Sequence, residues 1–88
     1  MKYFKRHWDE SRGDEYDHWG TSWWYFEVDE EAWIVRQIEV YENGRISKYG
    51  GGFPDDKYGG LGDQQMDLEE FEAYTISAEE FELAWAKK

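Results

Sequence analysis

The chain predicts a single α+β domain over residues 1–88: an antiparallel meander of about four strands with a C-terminal helix packed on one face. Three observations predict it. Alternating, β-branched or aromatic runs occupy residues 2–8, 21–28, 33–42 and 45–50, which is the composition of pleated strands. Asn43-Gly44 stands between two of those runs, the signal for a tight hairpin, because a type I′ turn needs φ > 0 at both central residues. Behind Ser77, the apolar residues Phe81, Ala84 and Trp85 recur at helical spacing.

Each element follows in order. In "KYFKRHW", residues 2–8, Phe4, Arg6 and Trp8 share one side and Tyr3, Lys5 and His7 the other. Residues 9–20 are polar and acidic and read as a long loop. "TSWWYFEV", residues 21–28, is a strand with Trp24, Phe26 and Val28 on one face and Trp23, Tyr25 and Glu27 on the other. "DEEA" is the turn into "WIVRQIEVYE", residues 33–42, where Ile34, Ile38 and Val40 share a face around Arg36, opposite Trp33, Val35 and Tyr41. "DEEAW" lacks the Gly or Pro that turns favour. Residues 50–63 hold six glycines and the lone proline, Pro54, so no regular element is expected there. "DLEEF", residues 67–71, reads as a short helical turn. Ser77 with Glu80 three residues on is a capping-box pattern. The helix it opens is expected to press Phe81 and Trp85 onto Trp24, Phe26, Ile38 and Val40.

The bulk composition narrows the function classes. A domain of 88 residues buries a low fraction of its surface and has a thin stability margin. Six Trp, seven Tyr and five Phe compensate, since each large ring buries about 150–250 Å². No cysteine is present, so disulfides and thiolate zinc sites are excluded. The formal net charge is -11. Residues 1–8 are basic through Lys2, Lys5 and Arg6, whereas residues 9–31 set nine acids against Arg12. Such a field disfavours nucleic acid and anionic membrane and matches a basic protein surface. No apolar run approaches the roughly 20 residues of a membrane span. The N-terminus has no apolar signal region, and a cytoplasmic protein is the expectation.

Catalytic and metal chemistry find little support in the sequence. His7 and His18 are the two histidines, and neither has a ligand at metal-binding spacing. Asp14, Glu15 and Asp17 beside His18 make at most a weak cation cluster. Asp55, Asp56 and Asp63 do not match a calcium loop. Ser77 is a cap rather than a nucleophile, and "GGLGD" lacks the Lys-Ser/Thr of a phosphate loop. No catalytic residue, metal or cofactor is expected. Recognition is left, with Asp14, Glu15, Asp17, Asp55 and Asp56 as steering acids and Trp19 and Trp33 as anchors. The sheet face carrying Trp23, Tyr25 and Trp33 admits two arrangements. It is bare, as an aromatic platform for a small molecule or carbohydrate, or it is buried under the loops 9–20 and 50–63.

"WGTSWWYFE", "RQIEVYENG", "YGGLGDQ", "LEEFEAY" and "ISAEEFELAW", in that order, resemble a group of small uncharacterised acidic bacterial proteins over nearly the whole chain. The resemblance implies no activity for any residue. By analogy with small acidic bacterial domains it suggests an inhibitor or immunity-type protein that docks on a basic protein partner.

Overall fold

The computed structural model describes residues 1–9, 17–50, 55–56, 59–60 and 65–87. Strands β1 (Lys2–Trp8), β2 (Ser22–Val28), β3 (Ile34–Tyr41) and β4 (Ile46–Gly50) form one sheet in that order. Every neighbouring pair is antiparallel, so the expected meander is present. Strands β5 (Asp55–Asp56) and β6 (Gly59–Gly60) make a separate two-stranded ribbon, where no regular element was expected. Glycine lowers a strand's stability but does not remove its backbone donor or acceptor, so a two-residue ladder forms all the same. Helices α1 (Leu68–Phe71) and α2 (Ala78–Trp85) follow.

Both helices start where the sequence places them. Asp67 Oδ1 accepts from the amides of Glu69 and Glu70 at 3.1 and 3.2 Å, and Ser77 Oγ accepts from the Glu80 amide at 3.1 Å. The capping box itself is half made, because the Glu80 carboxylate reaches Lys5 Nζ at 3.5 Å instead.

The β3–β4 hairpin is not the type I′ turn expected from Asn43-Gly44. The Gly44 amide donates to the Tyr41 carbonyl and the Tyr41 amide to that of Arg45, both at 2.9 Å. Only Gly44 of the pair has positive φ, at 91°. This is a type I turn closed by a left-handed glycine, the usual three-residue loop. Asn43 Oδ1 accepts from the Arg45 amide at 2.9 Å, which serves the loop with φ at Asn43 still negative.

The sheet is covered on both faces, and the helices divide them. Phe81 and Ala84 of α2 pack with Tyr25 and Ile38, joined by Tyr3, Val40 and Trp85. Phe4, Phe26 and Val28 face the other way, against Leu68 and Phe71 of α1, with Trp24 and Ile34. The expectation that α2 presses on Trp24 and Phe26 is therefore wrong, whereas Ile38 and Val40 do lie on its side. The cause is register. Tyr25, not Phe26, stands opposite Ile38, and a bulge at Glu27/Val28 sets Val28 beside Ile34. That bulge also moves Ile34 off the face of Ile38. A one-residue change of pairing exchanges the faces of a strand, and both faces of β2 are aromatic enough to be core. Between the helices the chain passes the outer edge of β1, where the Ile76 amide donates to the Tyr3 carbonyl at 2.9 Å and Thr75 bridges Phe4.

One ion cluster fastens α2 down. Arg36 Nε and Nη2 donate to the two oxygens of Glu27 at 2.6 and 2.9 Å, and Nη1 and Nη2 to Glu82 at 2.9 and 2.7 Å. Its guanidinium also lies over the stacked rings of Phe81 and Trp85, at 4.9 and 5.0 Å. Hydrogen bonding to Arg36 holds the Glu27 and Glu82 carboxyls below their usual range. Hydrogen bonding to Glu27, with burial behind it, pushes the Tyr3 hydroxyl up.

Candidate functional site

The β2–β3 connection turns on Asp29. Its Oδ1 accepts from the amides of Glu31 and Trp33, both at 2.9 Å. Its backbone carbonyl accepts from the Ala32 amide and its own amide donates to the Trp33 carbonyl, both at 3.0 Å. An aspartate that closes a turn over its own successors does the work usually given to Gly or Pro. The remaining strain falls on Ala32, which has φ of 68°. A second segment braces the turn from outside. The Met66 amide donates to the Ala32 carbonyl at 2.8 Å and Gln65 Nε2 to the Glu31 carbonyl at 2.7 Å, with Gln65 bridging Trp33. The outcome is a hydrogen-bonded loop that holds Trp33 41% exposed next to exposed Glu30 and Glu31.

The other residues expected at a binding surface divide into three groups. Trp19 and Tyr25 are corrected to core positions: they are 5% and 8% exposed. Trp19 meets the Tyr41 ring edge-on at 5.0 Å with Arg45 over it at 4.7 Å, and Tyr25 lies in the cluster beneath α2. Among the described residues, α2 is what packs over Tyr25. Trp23 is exposed, with the His7 ring at 4.7 Å and Lys5 Nζ 4.7 Å above it. Trp23 pairs with Val40 near one end of the hairpin, so roughly 20 Å of strand separates it from Trp33 at about 3.3 Å per residue. Trp23, Tyr25 and Trp33 therefore make no common platform. Asp14 and Glu15 lie outside the described residues, and of Asp17, Asp55 and Asp56 only the backbone is described.

Two clusters escaped the sequence reading. Gln37 Nε2 and the Tyr41 hydroxyl donate to the two oxygens of Glu39, at 2.8 and 2.5 Å, and all three residues are buried. Their i, i+2, i+4 spacing on β3 was the available signal, but a carboxylate there reads as the solvent side of a strand. The second is an aromatic pocket of about 190 Å³ lined by Arg6, Trp8, Trp24, Phe26 and Phe71. A wider groove of about 670 Å³ runs between the β1 edge and residues from Leu68 to Ala78. Neither cavity is lined by a histidine. Among the described residues no three potential metal ligands converge, and no helix is long and apolar enough to cross a membrane.

The class defined so far is an α+β domain with a four-stranded antiparallel meander between a short helix and a capped C-terminal one. No protein-family model, curated protein or solved structure matches the chain.

Proposed function

We propose that this chain is a small non-enzymatic binding protein that docks on a basic surface of another protein, as an inhibitor or immunity-type protein would. The observation that carries the reading is Trp33, held exposed on a braced turn beside Asp29, Glu30 and Glu31. A tryptophan is the side chain most often found at the energetic centre of an interface. Bracing the turn beforehand lowers the entropic cost of ordering it on contact. The net charge of -11 supplies long-range attraction for a cationic partner.

Capture from lysate at low salt, elution with salt and kinetics on the captured partner test this. Trp33→Ala is expected to weaken binding by about 2 kcal/mol, roughly 30-fold, mainly by faster dissociation. Replacing Glu30 and Glu31 together with Gln is expected to slow association and flatten its salt dependence. No salt-sensitive partner, or a partner indifferent to Trp33→Ala, overturns the proposal.

A further inference from the structure

The sheet face opposite α2 carries a second recognition feature, independent of the Trp33 turn. We propose that the Arg6 pocket binds a small planar aromatic carboxylate, with the ring held among Trp8, Trp24, Phe26 and Phe71 and the carboxylate on the Arg6 guanidinium. The walls are rings. Trp24 and Phe26 lie 6.1 Å apart at 31°, and Phe71 stands edge-on to Phe26 at 5.9 Å and 82°. The one charged group among the lining residues is Arg6. The Trp24 indole N–H is already committed to Ser22 Oγ at 2.7 Å.

Size, charge and geometry each narrow the ligand. A volume of about 190 Å³ exceeds the about 150 Å³ of an apolar cavity that admits benzene. It falls below the about 300 Å³ at which drug-sized sites begin, so one or two fused rings fit. A cationic ligand is disfavoured, because the Arg6 guanidinium already engages the Trp8 and Phe71 faces at 5.9 and 5.2 Å, with Tyr74 at 5.1 Å. A carbohydrate would need several polar partners, whereas the accessible surface inside the pocket is apolar and the Arg6 guanidinium meets a ligand only at the mouth, beside Glu70. An anion is favoured locally, by the Arg6 guanidinium, against the net charge of -11. Arg6 gives Glu70 a single hydrogen bond, Nη1 to Oε1 at 3.1 Å, and that carboxylate is largely exposed. A guanidinium has five N–H donors in a planar fork that matches a carboxylate. Glu70 is then a competitor at the pocket mouth, displaced or shared when a ligand enters.

The test is a titration with indole-3-acetate, indole and tryptamine, followed through the indole N–H resonances of the six tryptophans, assigned with Trp8→Phe and Trp24→Phe. Saturable shifts are expected at Trp8 and Trp24, and none at Trp33 or Trp85. Indole-3-acetate should bind about tenfold tighter than tryptamine, the size of one charge-assisted hydrogen bond. Arg6→Gln should bring indole-3-acetate down to the affinity of indole, with indole itself unchanged, which also shows the pocket still folded. Glu70→Gln removes the competitor and should tighten indole-3-acetate. Absence of saturable shifts, equal binding of tryptamine, or an affinity unmoved by Arg6→Gln or weakened by Glu70→Gln overturns the proposal.

Discussion

Ala32 and Gly50 show how single backbone conformations shape this fold. Among the described residues Ala32 alone takes positive φ without being glycine, at 68°. Left-handed backbone costs a non-glycine residue about 1–2 kcal/mol, partly offset here because alanine loses less freedom on folding than glycine. Ala32→Gly is therefore expected to stabilise the protein by about 0.5 kcal/mol, a Tm rise of roughly 3 °C for a domain of this size. Calorimetry checks it, and an unchanged or lower Tm contradicts the strain at Ala32. Gly50 is the reverse case. Its φ is 108°, and a Cβ there would sit 2.3 Å from the Val35 carbonyl oxygen. The added carbon would meet backbone atoms, at the strand position opposite Arg36, so no flexible side chain can yield. Gly50→Ala should cost more than about 2 kcal/mol, read as a lower urea midpoint. The sequence marked "DEEAW" as a turn without turn residues. It did not show that Asp29 closes it, because an aspartate in an acidic run looks the same whether it caps or is solvated.

At the scale of elements, the four strands of the main sheet and both helix starts were legible, and the β5–β6 ribbon and the pairing of faces were not. Both alternating sets of β2 are apolar enough for a core. The choice between them came from the bulge at Glu27/Val28. That register also puts Glu27 beside Arg36, under α2, where it is only 7% exposed. Arg36→Met strands that carboxylate, and the expected loss is about 3 kcal/mol in urea unfolding. Arg36→Met with Glu27→Gln should recover part of it. The same pair governs acid stability. Hydrogen bonding to Arg36 depresses the Glu27 carboxyl in the folded state below its ordinary value of 4.5. The unfolded chain thus takes up the proton first. The Glu27 contribution is complete above about pH 4.5 and is lost as pH falls through the lower folded value. Urea midpoints measured from pH 6 down to 3 should fall less steeply in Glu27→Gln than in the parent. Equal slopes would remove Glu27 from the acid response.

The whole molecule combines a strongly acidic field with a few exposed rings. The charge was readable at once, and the cationic partner proposed above rests on that acidic field. The surface placement of the candidate residues was partly readable. Trp33 was picked out as an anchor and is exposed, whereas Trp19, chosen on the same grounds, is packed against Tyr41. The two differ in what folds over them, which no local pattern records. Arg6 and Trp8 were seen as neighbours on one side of β1. Phe71, more than sixty residues away in the chain, had to arrive before they lined a pocket. Sequence alone determined the strand order's raw material, the capped C-terminal helix, the surplus of rings and the acidity, since each rests on local spacing or on a sum over residues. Tertiary structure decided which face of β2 meets α2, which tryptophans stay at the surface and where Arg6 finds its aromatic walls. Those outcomes depend on register and on contacts between distant segments, and an alternating strand is equally compatible with either face until its neighbour is in place.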